Sequence, residues 1–227
     1  MDKTKIALAL SGGGVRAMAY HAGVLKHLAE QGSLERVGAI STVSGGSLLI
    51  GLVYRLNDYV WPTSKEYLEA IYPCIKKELC SKSIMLRTLF RALLNPANWV
   101  FLLSRANIVA KTIQSDWDIK SDLSQIPSYP EWTINGTTAE SGRRFRFKNN
   151  SLGDYVLGYA SPKKLPLAMA MAASAGFPGG IGPVVIKAKE YKWLKRLSWN
   201  SPKNSIVEVS LPYKKIHIYD GGVYDNL

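Results

Sequence analysis

KIALALSGGGVRAMAYHAGVLKHLAEQGSLERVGAISTVSGGS, residues 5–47, changes its hydrophobic period twice, and those changes decide the fold. Lys5 to Leu10 is a short apolar run stopped by Ser11-Gly12-Gly13-Gly14, the pattern of a buried strand ending in a glycine loop. From Val15 the period becomes helical. Ala19, Ala22, Val24, Leu25 and Leu28 fall mostly on one face, and Gly32 stands where a helix would end. A second apolar run, Val37 to Ile40, leads through Ser41-Thr42-Val43 to Ser44-Gly45-Gly46, and an apolar helical stretch continues through Leu56. Strand, glycine loop, helix and strand in succession form a βαβ unit with parallel strands and a right-handed crossover. Both loops then open at the carboxyl edge of the sheet, where open parallel sheets bind ligands. The glycine loop and Ser44 are therefore expected side by side.

Ser44 sits between a predicted strand and a predicted helix, with only small residues after it: Gly45, Gly46 and Ser47. That is the setting of a nucleophile elbow, a sharp turn that lifts a hydroxyl out of the sheet and aims a helix N-terminus at it. The pattern is T-x-S-x-G, because Thr42 stands at the first position of G-x-S-x-G. Gly12-Gly13-Gly14-Val15-Arg16 admits two sharp readings. Gly12, Gly14 and Ala17 fit a dinucleotide fingerprint, but Ser41-Thr42-Val43-Ser44 offers no acidic residue at the end of the second strand to hold a ribose. As an oxyanion hole, the bare amides of the loop would face the charge that develops when Ser44 attacks a carbonyl, with Arg16 holding the loop or attracting a phosphate.

A serine nucleophile needs a base. His21 and His27 fall within the first helix, away from its N-terminal end, and His217 reads as structural. Asp220 ends a late strand, Lys215 to Tyr219, and Gly221-Gly222 would let Ser44 and a substrate come close. An aspartate of ordinary pKa is a weak base, so it would have to act through a direct hydrogen bond to the serine in a dry pocket.

Residues 57–125 read as a helical insertion or cap. Helix-like segments Lys65 to Leu79 and Ile84 to Leu94 are broken by Pro62, Pro73 and Pro96. Leu89, Phe90, Trp99 and Phe101, interleaved with Arg87, Arg91 and Arg105, form either an amphipathic lipid-facing surface or ordinary core packing. Trp132 to Thr138 and Arg143 to Phe147 form a hairpin turning near Ser141-Gly142, with Phe145 and Phe147 on one face and Arg144, Arg146 and Lys148 on the other. An alanine-rich helix, Leu165 to Ala175, precedes the loop Gly176 to Gly180, and a basic stretch carries Trp193 and Trp199.

A chain of 227 residues, 47% of them hydrophobic, is the size of one domain with a single sizeable core. Lys and Arg number 29 against 17 Asp and Glu, a net charge of +12 that favours a polyanionic partner such as an anionic lipid surface or nucleic acid. Cys74 and Cys80 fit neither a zinc site nor a disulfide framework and read as reduced, mostly buried thiols. The first apolar run is too short for a secretory signal, and the lipophilic stretch Ile84 to Leu103 is interrupted by Arg87, Arg91, Asn95 and Pro96. A cytoplasmic or peripheral membrane protein is expected.

Taken in order, Ser11-Gly12-Gly13-Gly14-Val15-Arg16, Val43-Ser44-Gly45-Gly46-Ser47, Ala172-Ala173-Ser174-Ala175-Gly176-Phe177-Pro178 and Asp220-Gly221-Gly222 resemble the four blocks of the patatin-like phospholipases, from residue 5 to the end. The resemblance implies a single domain over 1–227 with a three-layer α/β/α sandwich and a mostly parallel central sheet. It also implies a Ser-Asp dyad, no metal or other cofactor, and hydrolysis of fatty-acyl esters in phospholipids or other lipids. By position Ser44 becomes the nucleophile, Asp220 its base, and the amides of Gly13, Gly14 and Val15 the oxyanion hole. Gly12, Arg16, Gly45, Gly46, Gly221 and Gly222 become supporting residues, and the Ala172 to Pro178 block shapes the sheet beside the site. Three departures stand out: Thr42, Ala17 in place of a loop glycine, and a chain that stops five residues after Gly222, where family members continue. An incomplete C-terminal edge is expected from the last. Two non-catalytic alternatives remain: a basic lipid-binding module on the same fold and, ranked last, nucleic-acid binding through Arg143 to Lys148.

Overall fold

The apolar run after Lys5 forms β1 (Ile6–Leu10), the glycine loop opens α1 (Gly14–Glu30), and β2 (Val37–Val43) and α2 (Gly45–Leu56) follow. In this computed structural model the described residues are 5–80, 106–178, 181–196, 198, 200, 202 and 205–226. The buried stripe of α1 is Ala17, Met18, His21, Ala22, Leu25 and Ala29. It differs from the expected one: Ala19 and Val24 face solvent. Alanines on every side of the helix made its face ambiguous, and the large Met18 and Leu25 decide it. Gly32 has φ 59°, and Ser33 donates its amide to Leu28 O, which ends the helix as expected.

The middle segment is helical over Ser64–Glu66, Tyr67–Ile71 and α3 (Tyr72–Cys80). Pro73 does not break it. The turn before the proline widens to π geometry over Tyr67–Ile71, with the Tyr72 amide bonded to Tyr67 O, and this absorbs a residue that lacks an N–H and crowds the preceding turn. Thr63 and Glu66 cap the start reciprocally. Tyr67, Ile71 and Ile75 are buried, as are Ala106, Val109, Ala110 and Ile113 of α4 (Ala106–Asp116), so the described part of this segment packs on the core. Cys74 and Cys80 are exposed free thiols, contrary to the buried pair expected, because Ile71 and Ile75 take the inward face of the helix. The Ile84 to Leu94 segment and the surface proposed around Leu89, Phe90, Trp99 and Phe101 lie outside the described residues.

β3 (Glu131–Thr138) is the strand on which the site hangs. Its hairpin partner β4 (Arg143–Phe147) fills one edge, from Ile134 opposite Phe147 to Thr138 opposite Arg143. The other edge is shared by two strands. β2 runs parallel to β3 up to Val43 opposite Asn135, and β10 (Lys215–Asp220) comes in antiparallel from the far end, reaching Gly136 with Asp220. The carboxyl ends of β2 and β10 thus meet head to head on adjacent residues of β3.

β5 (Leu152–Asp154), β6 (Gly158–Ala160), β8 (Trp193–Arg196) and β9 (Ile206–Val209) extend the sheet beyond β4, and β7 (Val184–Lys187) pairs with β10. The sheet is mixed. Its parallel pairings, β1 with β2 and β2 with β3, carry the site. The other pairings among the described residues are antiparallel, since links such as 139–142 are too short for a crossover. Helix α5 (Leu167–Ser174) is apolar on all sides and buried throughout except at Met169. The mixed sheet flanked by helices is the α/β/α sandwich that the sequence leads one to expect.

Candidate active site

β2 ends at Val43, and the chain must turn at once into α2. Ser44 makes the turn with φ 48° and ψ −115°, a backbone conformation that costs a side-chain-bearing residue roughly 1–3 kcal/mol. The turn is held from below. A Cβ on Gly45 would come within 2.3 Å of Gly14 O, and one on Gly46 within 2.6 Å of Leu10 O, so only glycine lets the elbow seat against the first loop. Gly46→Ala is accordingly expected to cost about 1–3 kcal/mol through overpacking against main chain that cannot move aside, read as a lower urea midpoint with unchanged slope. Ser44 is partly exposed, whereas Thr42, Val43, Gly45, Gly46 and Ser47 are buried. A reachable hydroxyl stands on a rigid base, at the positive end of α2.

Asp220, the last residue of β10, is 5% exposed. Its Oδ1 accepts the Gly222 amide at 2.7 Å, and its carboxylate is close enough to the Ser44 side chain to feel it. Burial raises its pKa above the ordinary 3.8, and the Gly222 amide and the neighbouring Ser44 side chain offset only part of that shift. The backbone is fixed on both sides: Asp220 donates its amide to Gly176 O at 3.1 Å, and Thr137 Oγ1 donates to Asp220 O at 2.9 Å. Gly221 is buried where a Cβ would sit 2.6 Å from Asn135 O, and Gly222 is exposed beside the carboxylate.

The glycine loop borders the same spot, since a Cβ on Gly12 would lie 3.0 Å from Ser44 Cβ. Gly13 and Gly14 have φ 137° and 60°, which a side chain would resist. Gly13 offers α1 no side-chain cap, and the first turn carries no acidic residue. The amides of Gly14, Val15 and Arg16 therefore have no acceptor within the helix and open at its positive end. The Arg16 side chain is exposed.

The structure brings Ser44, Asp220 and Gly12 to Gly14 together, as the sequence led us to expect, and keeps the histidines apart from them. His21 is buried behind the glycine loop, Nε2 3.2 Å from Ser11 O, with its pKa lowered by that burial. His217 Nδ1 pairs with Glu140 Oε1 at 2.7 Å, and His27 is exposed.

Two residues go beyond the expected list. The sequence puts Ser174 in a block that shapes the sheet, yet its Oγ accepts the amide of Ser44 itself at 3.0 Å. The signal was a lone serine in the apolar run Leu167 to Ala175, which needs a partner once buried. Asn226 Oδ1 accepts the Gly12 amide at 3.0 Å, tying the turn after Asp220 to the glycine loop. Nothing local in the sequence points to that contact.

A family model described as patatin-like phospholipase matches residues 8–227. The solved structure of human GIVD cytosolic phospholipase A2 is similar with a TM-score of 0.60 at 13% sequence identity, over 99% of this chain and 40% of that chain. The same human protein in complex with methyl gamma-linolenyl fluorophosphonate gives 0.55 at 16% identity, over 96% of this chain and 35% of that one. At these identities the likeness is one of fold, and this chain spans about 40% of the human protein's length. No curated protein sequence matches. With the family match running from within β1 through the turn after Asp220, this chain belongs to the patatin-like phospholipase family.

Proposed function

We propose that this chain is a lipid acyl hydrolase that cleaves fatty-acyl ester bonds through a Ser44–Asp220 dyad and an acyl-enzyme. The observation that carries the reading is the meeting of Ser44, on its strained turn after β2, with the buried Asp220 at the end of β10, the two strands stopping on adjacent residues of β3. In the first half-reaction the Ser44 oxygen bonds to the ester carbonyl carbon as its proton passes to Asp220. The tetrahedral oxyanion rests on the amides of Gly13, Gly14 and Val15 at the start of α1. Its collapse expels the alcohol, which takes the proton from Asp220. Water then attacks the acyl-Ser44 ester by the same route, giving the fatty acid and free serine. Burial of Asp220 suits this role, because a raised pKa makes the carboxylate a better base.

The chain meets an anionic lipid surface with the edge that carries the site. Exposed Phe177 and Tyr224, just after α5 and just after Asp220, supply apolar contacts. Exposed Arg143, Arg144, Lys214 and Lys215 lie toward the carboxyl end of β3 and supply charge. Among the described residues no helix is long and apolar enough to cross a membrane. Binding to phosphatidylserine-containing vesicles is expected to weaken severalfold between about 0.05 and 0.5 M salt, as the screening length shortens, and to be negligible on neutral vesicles.

The experiment is a panel of phospholipids, lysolipids, triacylglycerol and p-nitrophenyl esters, assayed with wild type and Ser44→Ala. Release of fatty acid by wild type alone supports the reading. Lipid binding with no ester cleaved would favour a lipid-binding module on the same fold.

A further inference from the structure

Behind the elbow runs a chain of buried hydroxyls that the proposed reaction does not itself use. Thr42, Ser47 and Ser174 are each fully buried, at 0% exposure. Trp132 Nε1 lies 3.0 Å from Thr42 Oγ1, Thr42 Oγ1 2.8 Å from Ser47 Oγ, Ser47 Oγ 2.8 Å from Ser174 Oγ, and Ser174 Oγ 2.6 Å from Asn135 O. The carbonyl end fixes the direction. Ser174 gives its one proton to Asn135 O, so Ser47 donates to Ser174, and Thr42 donates to Ser47 at 2.8 Å in preference to the Thr133 carbonyl at 3.4 Å. With its proton committed, Ser174 turns its lone pairs toward Ser47 and toward the amide of Ser44, which it accepts at 3.0 Å.

We propose that Thr42, Ser47 and Ser174 form a one-way hydroxyl chain that positions the nucleophile, with Ser174 clamping the amide of Ser44 and Thr42 heading the chain as the donor to Ser47. The proposal rests on the acyl hydrolase reading above. Its geometric sense lies in β3. Ser174 ties Ser44 to Asn135, and the ladder ties Asp220 to the next residue, Gly136. Asn135 Nδ2 also donates to Thr42 O at 3.0 Å, so the strand before the elbow is held to the same residue. Nucleophile and base are thus referenced to consecutive residues of one strand, and their spacing inherits the rigidity of the sheet. The amide clamp holds the backbone of Ser44 at φ 48°, and that angle sets where its Oγ points. Thr42 then has a purpose at the position where G-x-S-x-G has glycine, since glycine would leave the Trp132 indole without an acceptor and Ser47 without a donor. Hydrogen-bonded chains of this kind polarise one another in a dry interior, so the members should act as a unit.

The test measures kcat and KM on a soluble p-nitrophenyl ester, and the rate at which a fluorophosphonate probe labels Ser44, well below each variant's melting temperature. Ser174→Ala is expected to lower kcat and the labelling rate about 10- to 100-fold, the scale of a small misplacement of a reacting group, with KM changed less than about twofold. Thr42→Val is expected to fall in the same direction and Thr42→Ser to restore most of the rate. The double variant Thr42→Val/Ser174→Ala should be no slower than Ser174→Ala alone. A folded Ser174→Ala that labels at the wild-type rate overturns the proposal, as does a Thr42→Ser variant no better than Thr42→Val. The threonine pair carries the test by itself should Ser174→Ala not fold. A wild type whose Ser44 takes no probe would instead defeat the hydrolase reading, and this proposal with it.

Discussion

Ser44→Ala is expected to lower kcat for ester hydrolysis by about 10,000-fold or more, the scale seen when a serine nucleophile is removed. The alanine variant leaves the fold intact, because the elbow does not depend on the hydroxyl. Ser174 accepts the backbone amide at residue 44, and Gly45 and Gly46 make the close contacts with Gly14 and Leu10. What disappears is the atom that forms the acyl bond, together with one of the groups that lower the pKa of Asp220. Lipid binding should persist, since the exposed residues around the site are unchanged. A variant that binds vesicles like wild type and releases no fatty acid separates chemistry from docking.

Asp220→Asn is expected to lower kcat by about 1,000- to 10,000-fold while keeping KM within a few fold. Asparagine preserves the shape and can still accept the Gly222 amide, but it cannot take the proton of Ser44. Stability should move the other way. Asp220 has a folded pKa raised by burial above the ordinary 3.8. Between those two values the native state binds more proton than the unfolded chain, so stability is greatest below the ordinary value and declines as pH rises through this window. At neutral pH the buried carboxyl group is therefore a cost to the fold. The asparagine variant avoids that cost and is expected to melt at or above the wild-type temperature at pH 7, with the advantage gone at pH 3. The same raised pKa sets the acid limb of kcat/KM, which should fall at a pH above 3.8 as the base becomes protonated.

Much of this was legible in residues 5–47, where changes of hydrophobic period mark strand, glycine loop, helix and elbow in turn. The meeting of Ser44 with Asp220 was legible only as a juxtaposition of blocks. Its cause lies in β3, where Val43 stops at Asn135 and Asp220 stops at Gly136, and no local pattern in Glu131 to Thr138 announces that register. Alternation within the hairpin did place Phe145 and Phe147 inward and Arg144 outward, because a strand's period of two leaves little choice once one face is covered. The buried face of α1 is not legible in the sequence because alanine suits either environment. Pro73 reads as a break in the sequence because a π turn that absorbs a proline leaves no mark in the hydrophobic pattern. Thr42, a departure from the G-x-S-x-G elbow, is a buried partner of Trp132 and Ser47.

The dyad is tested most directly by mapping a fluorophosphonate adduct by mass spectrometry and timing its formation in wild type and Asp220→Asn. The account predicts a single adduct on the peptide that carries Ser44, forming at least about 100-fold more slowly in the asparagine variant at neutral pH. Labelling of Ser44 at the same rate in both proteins, or an adduct on some other residue alone, would contradict it.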